Sequence, residues 1–405
     1  MSSTFAWLDY SEEQRRKVLD VLDLFKEKST VDELGLGTIR DAFADMLFPG
    51  TSAPQTRARY FLFVPWTYLK LEADRVPSGD VARRARREEL RLIDRLLEAG
   101  ETDGVIGKLA KGSLQRLPSN IYWTGLRRLD ICLFNGSQDS YHKSLDAFYR
   151  RRRAGVKTDD GEVLGAAGPN WHPSLPEAPA SFPEKASLGL THREAEYLRE
   201  RIAVNAPSSL FAHIANATRA GDETEYPWAH PRRDEFSITI RDQLWHGQNF
   251  SELMHGASLL YNLMLAELTP PQDSVEPYRQ QLGEWAAMIG GRLPDLESWN
   301  SADFWQCVQS EGIRISLQTR AFVERWWELA LNRREFEKIS DLRDARELIH
   351  QRERSLKGPL ARIDNQRARE RWGGDSGTRR LTYRWPNAAR IARDILEALE
   401  EKADA

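Results

Sequence analysis

The sequence predicts a mainly α-helical protein, with several helices in two or more helical domains and at most minor β structure. Apolar residues recur at the i, i+3, i+4 spacing of a helix face through most of the 405 residues. Helix-start signals precede several of these segments, and proline or glycine ends them. Strand-like alternation occurs at two short places, Phe236–Ile240 and Leu381–Trp385, so we expect two short strands at most.

An N-terminal helical domain is predicted over residues 1–154. Capping-box spacing marks one helix start at Thr30, with Glu33 three residues later. A later helix contains Pro65, which removes a backbone donor and should kink or divide that helix. The predicted helices of this domain cover residues 11–25, 30–46, 54–74, 80–97, 120–133 and 140–152.

A connecting loop rich in proline and glycine is predicted over residues 155–190. Its prolines fix φ and prevent regular pairing, so we expect an extended connection across the surface. Trp171, Leu175 and Phe182 should pin this loop to a domain. A central helical domain (191–331) and a charged C-terminal helical region (332–405) are predicted to follow.

The strongest helical periodicity in the chain lies between Phe250 and Leu268, where the apolar spacing continues without a break. Pro270 and Pro271 end this helix, which we expect to be central to its domain. Thr191 and Glu194 form another capping box. Further helices are predicted over residues 191–204, 275–289, 301–310, 316–331 and 335–355, with a closing helix that ends near 401.

Composition excludes several classes of protein. The net charge of −3 gives no overall attraction to nucleic acid or anionic lipid, so any such binding needs a local patch. Two distant cysteines, Cys132 and Cys307, form neither a disulfide framework nor a metal site and fit a reducing cytosol. No apolar run is long enough to span a membrane, and the N-terminus does not resemble a signal peptide. We therefore expect a cytoplasmic protein without metal or cofactor.

Sequence motifs of common enzymes are absent. The segment Gly104–Lys108 lacks the spacing and the hydroxyl of a phosphate-binding P-loop. Gly-x-Ser-x-Gly, His-Glu-x-x-His and Cys-x-x-Cys do not occur. We therefore expect neither an ATP-driven motor nor a standard hydrolase.

One pair of residues is a candidate for catalysis. Arg241 and His246 resemble the signature of the helical HEPN ribonucleases, in which arginine neutralises a phosphate while histidine transfers protons. On a regular helix these positions lie roughly 140° apart, so distortion or dimerisation would be needed to bring them together. A looser match from Arg343 to His350 shows how readily an arginine-rich chain produces the pattern, and a structural histidine is the alternative.

Three basic segments are candidates for nucleic-acid binding, because arginine neutralises phosphates and tryptophan stacks on bases. They are the arginine stripe (Arg84, Arg87, Arg91 and Arg95), the arginine cluster (Arg150, Arg151, Arg152 and Arg153) and the late basic segment (Arg367, Arg369, Arg371, Trp372, Arg379 and Arg380). Acidic residues lie among the arginines of two of these segments. The stripe contains Glu88, Glu89 and Asp94, and the late basic segment contains Glu370 and Asp375. Solvated helix faces with internal ion pairs are therefore the alternative.

The chain also has thirteen tryptophans, many for its length. Trp245, Trp299, Trp305 and the adjacent Trp326-Trp327 are candidates for an aromatic surface that binds a partner protein. Packing of these large rings in the core is the alternative.

Several segments resemble a known family, and they are spread over most of the chain. They cover residues 3–9, 34–43, 47–52, 57–66, 170–173, 253–263, 357–362 and 383–385. These segments resemble an uncharacterised bacterial family that carries only a domain-of-unknown-function label. The resemblance implies a place in anti-phage defence gene clusters, beside helicase, methylase or phospholipase D-like genes. It implies no catalytic residues.

The sequence therefore predicts a non-enzymatic helical accessory subunit, and the resemblance implies that it serves a bacterial defence or DNA-processing system. We expect it to bind partner proteins from a defence operon, with DNA or RNA as an open second ligand. A metal-independent HEPN-like ribonuclease using Arg241 and His246 is the first alternative. A purely structural scaffold is the second.

Overall fold

The computed structural model describes residues 32–154, 156–157, 163–164, 168–217, 224–310 and 312–400, and it confirms the mainly α fold class. Its first helices are α1 (Gly37–Leu47), α2 (Tyr60–Ala73), α3 (Ser78–Glu98), α4 (Pro118–Arg128), α5 (Gln138–Ala154), α6 (His192–Asn205) and α7 (Leu210–Ala215). The later ones are α8 (Ile238–Glu267), α9 (Val275–Gly291), α10 (Leu293–Ser298), α11 (Ser301–Gln309), α12 (Leu317–Ala330), α13 (Arg343–Lys357), α14 (Gln366–Arg369) and α15 (Trp385–Glu400).

Short 3-10 helices and one small hairpin complete the described structure. The 3-10 helices are Lys111–Ser113, Pro227–Ala229, Arg233–Glu235, Phe336–Lys338 and Gly358–Leu360. Strands β1 (Val156–Lys157) and β2 (Val163–Leu164) pair antiparallel, with Val156 opposite Leu164. The helix predicted over 11–25 and the start signal at Thr30 lie outside the described residues.

Both predicted strands are wrong. Ser237 caps α8, because its hydroxyl accepts a hydrogen bond from the Ile240 N–H at 3.2 Å. The buried residues Phe236 and Ile240 therefore have the i, i+4 spacing of a helix entrance. Before α15, Tyr383 and Arg384 have φ of 54° and 68°, a left-handed conformation that an extended strand does not contain.

Pro65 does not divide α2, which continues from Tyr60 to Ala73. The nine residues from Tyr60 to Tyr68 are all buried. Packing on every side of the helix stabilises it against the loss of one backbone hydrogen bond. The local sequence predicts the backbone hydrogen bond that the proline removes, but it does not predict the packing around α2 that compensates for this loss.

Contacts divide the described residues into two compact units, each built from separate stretches of chain. The first unit contains residues 32–43 and 243–381, and the second contains 44–242 and 382–400. The predicted domains had instead been continuous, with boundaries after 154, 190 and 331. That division into continuous domains stays a prediction.

The second unit has a polar network inside its helical core. The buried carboxylate of Glu89 on α3 accepts hydrogen bonds from the N–H and the hydroxyl of Ser119, at 2.8 and 2.7 Å. Gln138 on α5 donates to the Ser119 hydroxyl and to the Tyr68 hydroxyl, which also contacts His142 at 2.9 Å. The network thus joins α2, α3, α4 and α5.

The loop before α6 is pinned to this unit as predicted. The Trp171 indole N–H donates to Glu72 at 3.1 Å, and Phe182 stacks on Phe63 with ring centroids 5.7 Å apart. The next helix then begins at the predicted capping box, where the Thr191 N–H donates to the Glu194 carboxylate at 2.8 Å.

In the first unit, the buried tryptophans are part of the core. The Trp326 indole N–H donates to the Leu253 carbonyl at 2.9 Å, and the Trp285 N–H to the Glu252 carbonyl at 2.8 Å. Trp299 is also buried and stacks on Trp327, with ring centroids 3.7 Å apart. Core packing thus occupies most of the rings considered for a partner-binding surface. None of the described helices is both long and apolar enough to cross a membrane.

Candidate nucleic-acid interface

The arginine stripe lies on the solvent side of α3, opposite its buried apolar residues. Two of its arginines share one carboxylate from the pinned loop: Arg91 forms an ion pair with Glu184, and the Arg95 Nε lies 2.9 Å from the same group. Arg95 also pairs with Glu98 on its own helix. Carboxylates therefore neutralise this half of the stripe before any ligand arrives.

The other half of the stripe is less paired. The Arg87 guanidinium lies 3.8 Å from Glu88, a weak contact at an exposed site. Arg84 is exposed and has no ion pair with another described residue. The amino-terminal part of α3 thus retains more free positive charge than its carboxyl-terminal part.

The arginine cluster forms the end of α5, and all four of its side chains are exposed. The Arg150 Nε contacts a backbone carbonyl of its own helix at 3.4 Å, and the Arg152 guanidinium lies over Phe148, 5.5 Å from the ring centroid. Within the described part of the chain, none of the four forms an ion pair with a carboxylate. This is the densest uncompensated charge of the three predicted segments.

The helix geometry limits how these four arginines act together. Successive residues of a helix point about 100° apart, so the four guanidinium groups surround the end of α5 instead of lining one face. Basic residues in the last turn of a helix also interact favourably with the negative end of the helix dipole, and each stabilises the helix by about 0.3–1 kcal/mol. The cluster therefore has a structural role besides any contact with a ligand.

The late basic segment is partly built into the first unit. Its tryptophan, Trp372, is buried: the indole N–H donates to Asn262 at 3.0 Å, and the ring packs beside Tyr278. Arg369 donates to two backbone carbonyls, at 2.8 and 3.0 Å, and Arg380 lies 3.9 Å from Glu252. The remaining arginines are exposed; they are Arg367, Arg371 and Arg379.

Arg241 and His246, the candidate catalytic residues, both lie on α8. Arg241 is exposed, whereas His246 is 4% exposed. The His246 Nδ1 accepts a hydrogen bond from the Trp299 indole N–H at 2.8 Å. Because an indole only donates, a neutral His246 carries its proton on Nε2. The ribonuclease hypothesis stays a prediction.

A cavity that the sequence did not indicate lies in the second unit. Its volume is about 630 Å³, and its walls come from the end of α6, from α7, from the turn at Arg232–Glu235 and from the start of α8. Its lining includes Ser208, His213 and Arg232. These residues lie on separate elements and form no motif, so only the folded chain places them together. Among the described residues, no group of His, Cys, Asp and Glu side chains is arranged to hold a metal ion.

Comparison with known proteins gives one match. A family model described as "Family of unknown function (DUF6361)" matches residues 1–399. No curated protein and no solved structure matches the chain. The resemblance to a domain-of-unknown-function family is therefore confirmed, and the match adds no activity, substrate or site residue.

Proposed function

The chain belongs to the family of unknown function DUF6361, and we propose that it is a non-enzymatic helical accessory subunit that binds nucleic acid through the arginine cluster. One observation carries this proposal: Arg150–Arg153 are all exposed, and no carboxylate of the described residues pairs with them. Arginine is suited to this contact because its planar guanidinium donates two parallel hydrogen bonds to a phosphate.

Binding of this kind depends on phosphate charge and not on base sequence. Each neutralised phosphate releases counterions into solution, which supplies most of the affinity and makes it depend on salt. The protein as a whole has a net charge of −3, so the contact must be local. Arg84 and Arg87 are the next candidates, because carboxylates engage them less than they engage Arg91 and Arg95.

A salt titration of the wild-type chain tests the proposal. Labelled single- and double-stranded DNA and RNA are titrated with the protein, and binding is read by fluorescence anisotropy. Because the four guanidinium groups surround the end of α5, we expect two or three of them to neutralise phosphates, and affinity should then fall roughly 12- to 40-fold between 50 and 200 mM salt. Weak binding that does not change with salt would contradict the proposal.

The partner proteins form a second part of the proposal, and the suggested setting in bacterial defence or DNA processing rests on the family resemblance alone. A tagged pull-down from the native host, divided into nuclease-treated and untreated halves, tests this part. Partners that persist after nuclease treatment would support direct protein contacts and an accessory subunit. If all partners are lost with the nucleic acid, the accessory-subunit part fails and the basic surface alone accounts for the association.

A metal-independent ribonuclease is the second candidate, and the Trp299–His246 hydrogen bond favours it because it holds one histidine tautomer. This candidate predicts RNA cleavage in the presence of a chelator, lost in His246→Ala. A matched change at a second histidine of α8, the half-buried His255→Ala, should leave cleavage intact. RNA that stays intact after prolonged incubation would exclude this candidate. A purely structural scaffold would show neither cleavage nor salt-dependent binding.

A further inference from the structure

The segment 170–173, one of those that resemble the family, places a histidine against α6. Its backbone pairs with an earlier part of the chain, where the His172 N–H donates to the Ile131 carbonyl at 2.9 Å. Side chains alternate along extended backbone, so the buried Trp171 and the half-buried His172 point to opposite sides. His172 therefore reaches α6, where the centroid of its ring lies 5.7 Å from that of Tyr197.

Tyr197 is a buried side chain whose polar group has no partner. The residue is 5% exposed, and its hydroxyl group makes no hydrogen bond within the described structure. Burial raises the pKa of this phenol above its ordinary value, so the hydroxyl keeps its proton and can donate it. Native proteins contain few unpartnered buried hydroxyl groups, because each one destabilises the folded chain. A ligand that accepts a hydrogen bond would remove this cost.

Arg201 lies one helical turn after Tyr197, and therefore on the same face of α6. It is 8% exposed, and its Nε has no hydrogen-bond partner either. One of its terminal nitrogens lies 3.2 Å from Glu200, whose side chain is 62% exposed, and an ion pair at such a site contributes little energy. The other N–H groups of Arg201 have no side-chain acceptor among the described residues.

His172 supplies the third donor. Its Nδ1 accepts a hydrogen bond from the Ser174 N–H at 3.3 Å, so a neutral ring carries its proton on Nε2. Burial, and after it the positive charge of Arg201, lowers the pKa of His172, and the ring is therefore neutral at neutral pH. The Nε2–H has no acceptor within the described part of the chain.

The charges around these three side chains indicate the kind of ligand. Hydrogen-bond donors that surround one guanidinium are suited to an anion. Glu200 and Asp130 are exposed nearby, and both carboxylates act on the charge of His172. They repel a polyanion such as nucleic acid more strongly than a ligand with a single charge. A carboxylate has one negative charge and a planar shape that matches a guanidinium.

We propose that His172, Tyr197 and Arg201 form a site for a single carboxylate group, besides the arginine cluster. The carboxylate enters beside the half-buried His172 and accepts hydrogen bonds from Arg201 and from the Tyr197 hydroxyl. His172 has to turn aside as the ligand enters, and its hydrogen bond from Ser174 is long enough to break readily. Two sources present this chemistry: a free small carboxylic acid and the carboxyl terminus of a peptide.

Histidine NMR on the full-length chain tests the proposal, with the His172 signal assigned by its loss in His172→Gln. The probes are acetate and N-acetyl-trialanine with either a free or an amidated carboxyl terminus, all at one ionic strength. Acetate or the free-acid peptide should shift the His172 signal saturably, and the amidated peptide should not.

The same titrations distinguish the two sources. If the free-acid peptide binds more tightly than acetate, peptide termini are the source; otherwise the source is a small acid. The absence of a saturable shift with acetate and with the free-acid peptide would overturn the proposal. An equal shift with the amidated peptide would also overturn it.

Matched arginine variants place the ligand at this site. Arg201→Gln should weaken carboxylate binding roughly 10- to 100-fold, because it removes a charge-assisted hydrogen bond. Arg199→Gln is the control, since Arg199 is half-buried and lies about 200° around α6 from Arg201. Equal losses in the two variants would overturn the proposal.

Tyr197→Phe guards against a folding defect in Arg201→Gln, because it removes the unpartnered hydroxyl and leaves the ring. Without ligand, this variant should melt at the temperature of the wild type or above it, and it should bind carboxylate roughly 3- to 10-fold more weakly. Tyr122→Phe is the control. Its hydroxyl donates to the Arg57 carbonyl at 2.8 Å, so that variant should melt at a lower temperature.

Two outcomes of these tyrosine variants would contradict the proposal. If Tyr197→Phe is destabilised as much as Tyr122→Phe, the Tyr197 hydroxyl already has a partner and the site fails. If Tyr197→Phe binds carboxylate as tightly as the wild type, the hydroxyl does not contact the ligand and the site also fails. The test is independent of the arginine cluster, because variants of Arg150–Arg153 should bind carboxylate normally.

Discussion

The arginine stripe and the arginine cluster each place four arginines on one helix of the second unit, yet they differ in what faces them. Glu184, from a loop ninety residues further along the chain, contacts both Arg91 and Arg95. No carboxylate among the described residues pairs with Arg150–Arg153. The uncompensated positive charge of a segment therefore depends on which carboxylates the fold brings close to its arginines, and not on how many arginines it contains.

A third class of arginine in the same unit is buried or half-buried and pairs with a buried carboxylate. Arg59 pairs with Glu194 at 2.9 Å and also donates to the carbonyl of Ser187 at 3.0 Å. Arg57 pairs with Asp394 at 2.9 Å. Such pairs connect distant parts of the sequence. Changes to them should therefore affect stability and leave ligand binding unchanged.

The largest expected effect is on stability, in Arg59→Ala. The substitution leaves the buried Glu194 carboxylate without its cation, and we expect the free energy of unfolding to fall by about 3–5 kcal/mol. Urea denaturation followed by circular dichroism measures this change. Arg83→Ala is the control, because its side chain is 73% exposed and its ion pair, within the described residues, is with Asp80. Equal stability of the two variants would contradict the distinction between buried and exposed arginines.

The next effect concerns a buried carboxyl group that lacks an arginine partner. Burial raises the pKa of Glu89 from 4.5 to about 7. As pH rises from about 4.5 to about 7, the unfolded chain loses this proton before the folded chain does. Stability should therefore fall by about 3 kcal/mol over that window and then stay level.

Glu89→Gln should remove this dependence, because an amide keeps the shape and cannot ionise. Thermal unfolding between pH 4 and pH 8 measures it, with Glu98→Gln on the exposed side of α3 as the control. An unchanged pH profile in Glu89→Gln would show that the folded protein does not hold this carboxyl group in its neutral form.

A smaller effect distinguishes two roles for Trp372 in the late basic segment, packing in the protein core and stacking on a base of nucleic acid. Trp372→Phe removes the indole donor to Asn262, which still accepts a hydrogen bond from the Ser376 N–H at 2.9 Å. We expect a loss of about 1 kcal/mol in stability and no change in affinity for nucleic acid. Reduced affinity with unchanged stability would instead support Trp372 as a stacking platform.

Local sequence predicted most helices of the described chain, because helical periodicity and capping depend on neighbouring residues. The Thr191–Glu194 capping box and the apolar face of α8 are examples. The same kind of pattern was misleading at Phe236–Ile240, where two apolar residues of a helix entrance resembled strand alternation. Periodicity over five residues is too short to distinguish the two.

The candidate sites were harder to predict, since they depend on residues distant in sequence. Arg91 and Trp372 were predicted to contact nucleic acid. In the structure, Arg91 instead forms an ion pair with Glu184, and Trp372 donates a hydrogen bond to Asn262. It missed the cavity near His213 because the lining residues come from separate elements. Of the three segments, the arginine cluster is the one in which every arginine is exposed.

The most direct test of the account compares two variants that each remove four positive charges. R150Q/R151Q/R152Q/R153Q and R84Q/R87Q/R91Q/R95Q are titrated against the same labelled DNA duplex over a range of salt concentrations. The slope of log affinity against log salt should decrease by roughly 2 for the cluster variant and by less than about 1 for the stripe variant. A larger decrease for the stripe variant would contradict the claim that the arginine cluster binds nucleic acid.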